Sequence, residues 1–254
     1  MMLSKLETVP YEDLVKAGNE AILKLFGPRK PGSKTMFGFA PSADGQVLLQ
    51  QPFSPGFAEI SKDVPLLIGT TLNELIKTAY DEKDLSMEQA RSRLTKIYGE
   101  DTNQFIRLYE KTYPDFTPQD LLSVDTVFRP GTIMAADART KQESAPVYTY
   151  FLAWKSPEDG ATKGSFHGLD IPLAFNNIDL KPEWTGTTKE AYDLADKMSS
   201  AWLNFAKTGN PNVEGKLPDW EPYSIDNGET MIFNEKCRIV NNHDRELMSF
   251  IISK

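Results

Sequence analysis

The chain contains only two imidazole side chains, His167 and His243. Because histidine exchanges protons near neutral pH, a hydrolytic mechanism would need one of them as its general base. His167 lies in KGSFHGLDIPLAF, between Gly164 and Gly168, and glycines permit tight turns and close approach of a ligand. Taken alone, this context leaves both a structural and a catalytic role open for His167. His243, in NNHDRE at the start of the last predicted helix, is expected to be a solvated residue.

Glu74 is the carboxylate best placed to assist an imidazole. It lies in VPLLIGTTLNEL, five residues beyond the apolar run 64–69. Open α/β folds form their active sites at the carboxyl ends of parallel strands. A carboxylate there can accept a hydrogen bond from an imidazole, fix its tautomer and stabilise its charged form. The residues alone leave open the alternative that Glu74 begins an exposed helix.

Other common site chemistries have little support in this sequence. The single cysteine, Cys237, has no histidine beside it and cannot form a disulfide within the chain, which argues against a thiol nucleophile and a cysteine-based zinc site. The sequence contains no phosphate-binding glycine loop and no dinucleotide fingerprint. We therefore expect neither a cofactor nor a metal.

The predicted elements place both candidate residues in loops that follow strands. The runs 64–69 and 146–152 are short, apolar and bounded by turn residues, which is typical of strands buried on both faces. Between and after them, helical spacing and capping residues predict helices, with a hairpin near the end of the chain. The expected helices are 11–26, 87–99, 103–113, one starting at Thr117-Pro118, 188–207 with a stop at Gly209, and 243–252; the hairpin pairs 229–235 with 238–240.

Composition limits the class of protein. Twenty-eight Lys and Arg against 36 Asp and Glu give a net charge of −8, which argues against non-specific binding to nucleic acid. The hydrophobic content of 40% is enough for a packed core, and no apolar run reaches the length of about 18 residues that a membrane span requires. The first residues, MMLSKLETVPYEDL, lack the apolar stretch of a signal peptide, so the sequence as written carries no export signal and leaves the compartment undecided.

Several segments, in order, resemble the type B carboxylesterases of the α/β-hydrolase fold, the family of para-nitrobenzyl esterases and cholinesterases. They are PSADGQVL, VPLLIGTTLNEL, VFRPGTIMAADA, APVYTYFL, SFHGLDIPLAFNN, WLNFAKTGNPN and LPDWEPY. The resemblance implies that Glu74 and His167 are the acid and the base of a catalytic triad. It also implies that residues 1–254 are the C-terminal part of an α/β-hydrolase domain, with a mostly parallel sheet and flanking helices.

The chain departs from the family in two places. It has Asn73-Glu74-Leu75 where the family commonly has Asp-Glu-Gly. More importantly, no serine stands in the G-x-S-x-G pattern of the family's nucleophile. Ser54 has Gly56 after it but Pro52 before it, and Ser165 lacks the pattern. We interpret the nucleophile-bearing N-terminal half as absent from these 254 residues.

The resemblance implies acyl transfer from a small-molecule ester, with Asp170 as a further acceptor near the histidine and Phe128 and Phe166 as possible walls of the substrate pocket. The chain alone is expected to be inactive. It is also expected to self-associate or to pair with a complementary N-terminal chain, since open sheet edges recruit other strands. Two alternatives remain: a non-catalytic cholinesterase-like binding or scaffolding domain, and an unrelated α/β protein in which Glu74 and His167 lie far apart.

Overall fold

The structure is a computed structural model that describes residues 3–27, 43–50, 56–74, 82, 84–157 and 163–254. The chain divides into two compact units, Met1–Gln51 and Pro52–Lys254. In the first unit, α1 spans Leu3–Leu6 and α2 spans Tyr11–Phe26, which confirms the helix predicted there. Asp44 and Gly45 lie in a turn, in which Asp44 Oδ1 accepts hydrogen bonds from the N–H groups of residues 46–48.

The second unit contains one sheet, with strands in the order β1-β2-β3-β4. The strands are β1 (Leu66–Thr71), β2 (Val147–Leu152), β3 (Thr230–Phe233) and β4 (Arg238–Val240). The first three are parallel, and β4 pairs antiparallel with β3 as the predicted hairpin. Thr71 is in register with Leu152, and Leu152 with Phe233, so the three parallel strands end at the same edge of the sheet.

The two predicted buried strands differ in burial. Five of the six residues of β2 are buried, as expected, because β2 lies between β1 and β3. In β1, by contrast, Leu66 to Gly69 are only half-buried and burial is complete only at Thr70 and Thr71. The expectation that 64–69 is covered on both faces is therefore wrong for this chain. The reason is its position: β1 is the outer strand of the sheet that the described residues form.

Helices pack on both faces of this sheet. Alternate residues of β2 point to opposite faces: Tyr148 and Leu152 pack in a core with α9, whereas Val147 packs with Ala136 of α6. A further core joins helices α3, α4, α5 and α10. The helices of this unit are α3 (Met87–Tyr98), α4 (Thr102–Thr112), α5 (Pro118–Leu122), α6 (Phe128–Thr140), α7 (Asp170–Ala174), α8 (Pro182–Thr185), α9 (Lys189–Thr208) and α10 (Arg245–Ile252).

Helix ends follow the capping signals of the sequence. The Thr117 side chain caps α5 and Pro118 opens it, and Gly209 closes α9 in the left-handed conformation. The last helix begins two residues later than predicted, at Arg245. Among the described residues, every helix is too short or too polar to span a bilayer.

Candidate active site

Glu74 and His167 lie in direct contact at the carboxyl edge of the sheet. Glu74 Oε2 is 2.5 Å from Nδ1 of His167, so the carboxylate and the imidazole form a hydrogen bond. The Glu74 side chain is 10% exposed, whereas the imidazole is 57% exposed. The carboxylate is thus largely shielded from water while the ring it contacts remains accessible from outside.

The turn after β1 holds the Glu74 carboxylate in place. The strand ends at Thr71, and the side chain of Glu74 folds back so that Oε1 accepts the Thr71 N–H at 2.8 Å. The Leu72 N–H meanwhile donates to the carbonyl of Leu152 at 3.0 Å, which ties the turn to the end of β2. One carboxylate oxygen is therefore fixed by backbone and the other is directed at the histidine.

The loop after β2 presents His167. Ser165 anchors it: its hydroxyl donates to the Leu152 carbonyl at 3.0 Å, and its N–H donates to Asn73 Oδ1 at 2.9 Å. Gly164 and Gly168 have φ angles of 63° and 83°, a left-handed conformation that glycine adopts without strain. These two turns let the loop double back so that the imidazole stands beside Glu74. In the described part of the chain, Nε2 of His167 makes no hydrogen bond, so it is the nitrogen left for a reacting group.

Phe128 forms a wall beside the histidine. Its ring centroid lies 6.2 Å from that of His167, and the two planes are inclined by 24°. Phe128 is the first residue of α6, whose start is fixed by Asp125: Oδ1 accepts the N–H groups of Val127 and Phe128, and Oδ2 accepts that of Arg129. A capped helix end therefore sets the position of this ring.

The other two residues expected near the site have different surroundings. Asp170 Oδ2 accepts a hydrogen bond from the Tyr150 hydroxyl at 3.0 Å and makes none with His167. Burial raises the pKa of the Asp170 carboxyl, and the negative charge of nearby Glu74 raises it further. Phe166 packs edge-on against Trp184, with the ring centroids 5.2 Å apart, beside the core that contains α9. It therefore contributes to the core next to the histidine loop.

Asn73 is a residue of this site that sequence reasoning undervalued. It is 2% exposed and bonds to the loop that carries His167 through both its backbone and its side chain. The only signal was a polar residue directly before the candidate acid, where the chain departs from the resembled family. Nothing local in the sequence indicates the partners of its amide.

His243 is not the solvated residue expected from its position. Its ring packs against Tyr113 and Phe151, each with centroids 5.4 Å away, and its Nε2 is buried without a hydrogen-bond partner among the described residues. Burial lowers the pKa of His243 to about 4. The ring lines a cavity of about 250 Å³ to which neither Glu74 nor His167 contributes. The expectation failed because the rings that pack against His243 are those of Tyr113, the residue after α4, and Phe151 of β2, both far away in sequence.

Two serines and the acidic side chains remain as candidates for a nucleophile or a metal ligand. Ser165 is fully buried and its hydroxyl is bonded to the Leu152 carbonyl, so it does not face the imidazole as a nucleophile. Ser54 lies outside the described residues. Within the ranges that the structure describes, no three His, Cys, Asp or Glu side chains cluster in a way that could hold a metal ion.

The largely parallel sheet with helices on both faces is an α/β architecture, and the solved structures that this chain matches are esterases with the α/β-hydrolase fold. The model of the carboxylesterase family matches residues 1–251. The chain belongs to the carboxylesterase family.

Individual relatives are consistent with this assignment. The chain is 31% identical to a para-nitrobenzyl esterase of Bacillus subtilis over 256 residues, which covers 96% of this chain and 48% of that protein. Among solved structures, an esterase from anaerobic Clostridium hathewayi that can hydrolyse aliphatic aromatic polyesters matches 98% of the chain and 48% of its own length, with 27% identity and a TM-score of 0.78. A thermophilic PNB esterase matches 98% of the chain and 50% of its own length, with 28% identity and a TM-score of 0.63. The chain thus spans about half the length of these relatives.

Proposed function

We propose that this chain supplies the acid and the base of a carboxylic ester hydrolase, in which a serine outside these 254 residues is the nucleophile. The observation that carries the proposal is the 2.5 Å contact between Glu74 Oε2 and His167 Nδ1, with Nε2 left accessible. Membership of the carboxylesterase family supports it, and so does the absence of a G-x-S-x-G serine from the sequence.

The proposed reaction proceeds in two acyl transfers. The serine oxygen attacks the ester carbonyl while His167 Nε2 takes the hydroxyl proton. Glu74 keeps the proton on Nδ1 and stabilises the imidazolium. His167 then returns its proton to the leaving alcohol, which leaves an acyl-enzyme. A water molecule, deprotonated by the same nitrogen, attacks the acyl group; the carboxylic acid departs and the serine regains its proton.

The proposal includes the domain organisation and the substrate class. Residues 1–254 would form the C-terminal part of one hydrolase domain, whose other part supplies the serine. The outer edge of β1 is where a further strand would join, since in the described sheet β1 pairs with β2 on one side only. The relatives' names indicate small-molecule esters as substrates, para-nitrobenzyl esters among them.

Two measurements test this function together. The purified chain is assayed with para-nitrophenyl acetate, and the coding DNA upstream of Met1 is sequenced and the whole reading frame expressed. We expect the chain alone to hydrolyse the ester no faster than its His167→Ala variant does. We expect the upstream DNA to encode a serine in a G-x-S-x-G motif, and the longer product to have esterase activity. General-base assistance contributes about 10²–10⁴-fold, so His167→Ala should lower that activity by at least as much.

Two results would contradict the proposal. Turnover by the chain alone that His167→Ala abolishes would mean that it holds its own nucleophile. A longer product whose serine is replaced, and which shows no esterase activity, would instead favour a non-catalytic binding or scaffolding domain.

A further inference from the structure

Asn73 joins the two loops that carry the acid and the base. Its side-chain Oδ1 accepts a hydrogen bond from the Ser165 N–H at 2.9 Å, and its backbone N–H donates to the Ser165 carbonyl at 2.9 Å. Asn73 directly precedes Glu74, and Ser165 lies two residues before His167. These two bonds therefore hold the two loops together at points one residue before the acid and two residues before the base.

The same amide reaches a third segment. Asn73 Nδ2 donates to the carbonyl of Ser123 at 2.9 Å. Two residues further on, Asp125 caps helix α6 and positions Phe128, whose ring lies over His167. One buried side chain thus connects the acid, the base and the aromatic wall beside it.

The chemistry of these contacts requires an amide. Oδ1 meets a donor and Nδ2 meets an acceptor, and only a group with both functions satisfies both partners. An aspartate would turn a carboxylate oxygen towards the Ser123 carbonyl, and a leucine of similar shape would leave both backbone groups without this partner. Since Asn73, Ser123 and Ser165 are all buried, water cannot readily replace the lost bonds.

We propose that Asn73 is a positioning residue, whose amide holds the histidine loop so that the Nδ1–H of His167 is directed at Glu74. This inference rests on the proposed function and adds a residue to it. Without the amide, the backbone N–H of residue 73 still donates to the Ser165 carbonyl, but the Oδ1 bond to the Ser165 N–H and the Nδ2 bond to the Ser123 carbonyl are lost, so the histidine loop is held less firmly. The imidazole, being largely exposed, is then free to rotate away from the carboxylate.

The experiment measures the tautomer of His167 in the full 254-residue chain. Because the chain has only two histidines, ¹⁵N labelling of histidine gives two ring systems, assigned with a His243→Phe variant. The ring nitrogens are observed by NMR through the carbon-bound protons, at about pH 8.5, well above the pKa of a free imidazole. We compare the parent with Asn73→Leu, Asn73→Ala and Glu74→Leu.

Asn212→Leu is the matched control. The Asn212 amide also bridges backbone groups, accepting the Trp220 N–H at 2.7 Å and donating to the Trp220 carbonyl at 2.9 Å. Its loss should lower the melting temperature without changing the His167 tautomer. Circular dichroism and NMR dispersion identify which variants are folded, and the smaller Asn73→Ala is used if Asn73→Leu does not fold.

We expect His167 to be a single Nδ1–H tautomer in the parent and in Asn212→Leu. In Glu74→Leu and in the folded Asn73 variants, we expect a mixture of the two neutral tautomers. If the Asn73 variants keep the parent's tautomer while Glu74→Leu loses it, Asn73 has no positioning role, although the proposed pair stands. If the parent itself lacks the Nδ1–H tautomer, the pairing on which both proposals depend is wrong. A change in Asn212→Leu equal to that in Asn73→Leu would also overturn the inference, because it would reduce the effect to general loss of stability.

Discussion

Glu74 and His167 are 93 positions apart in the chain, yet their side chains meet with 2.5 Å between Oε2 and Nδ1. The contact is made by two loops that follow neighbouring parallel strands, because β1 and β2 are in register up to Thr71 and Leu152. A buried carboxylate held by the Thr71 N–H faces an accessible ring, which is the geometry an imidazole needs to act as a general base.

Glu74→Gln should lower the kcat of the active, serine-containing protein by about 10²–10⁴-fold, because the neutral amide neither fixes the Nδ1–H tautomer nor stabilises the imidazolium. Asp170→Asn is the matched control: it removes a second carboxylate close by but keeps an acceptor for the Tyr150 hydroxyl. It should retain most of the activity. Steady-state kinetics with para-nitrophenyl acetate measure both, and equal losses in the two variants would speak against a special role for Glu74.

His243 should make stability depend on pH. Burial lowers its pKa in the folded state to about 4, whereas in the unfolded chain a histidine has a pKa near 6.5. As the pH falls, the unfolded chain takes up the proton first, so this contribution to stability is fully present above about pH 6.5 and declines towards pH 4. The decline is on the order of 3 kcal/mol.

Urea unfolding of the parent and of His243→Phe, at several pH values between 4 and 7, tests that expectation. The phenylalanine keeps the packing against Tyr113 and Phe151 but cannot be protonated. The difference in unfolding free energy between the two proteins should therefore change across this range. A constant difference would show that His243 is protonated equally in both states.

Arg129 and Asp244 form a buried ion pair that connects the start of α6 to the start of α10. Two guanidinium nitrogens donate to the two carboxylate oxygens at 2.8 Å, and both side chains are less than 5% exposed. Arg129→Met should destabilise the protein by about 3–5 kcal/mol, because it leaves the carboxylate buried without its partner. Lys111→Met breaks the exposed pair with Glu246, also at 2.8 Å, and should leave the melting temperature nearly unchanged. Thermal unfolding distinguishes the two, and a stable Arg129→Met protein would mean that Asp244 is reached by solvent.

The outer edge of β1 should cause the chain to self-associate when no complementary segment is present. Val64, just before the strand, is 60% exposed, so Val64→Lys adds a charge beside this edge at little cost to the fold. Leu203→Lys is the control, because it adds the same charge at an exposed position of α9, which is not part of the β1 edge. Light scattering at micromolar concentration should show oligomers for the parent and for Leu203→Lys, and fewer for Val64→Lys. A monodisperse monomer of the parent is the result that would contradict this expectation.

Local patterns determined much of the secondary structure of this protein. Apolar runs at 64–69 and 146–152 located β1 and β2, and Thr117-Pro118 and Gly209 marked helix ends that the structure confirms. These features depend on neighbours within a few residues: a side-chain oxygen near free N–H groups, or a glycine that adopts a positive φ. For that reason they can be read without knowing the fold.

Which residues touch across the fold was decided by tertiary structure. His243 became half-buried, with its Nε2 shielded from solvent, because Tyr113 and Phe151 pack against its ring, and β1 became half-exposed because it is the outer strand. The partners of Asn73, in segments 50 and 92 positions away, have no local signature at all. The physical reason is that burial and long-range hydrogen bonds depend on strand order and register, whereas propensity and capping act within a single turn.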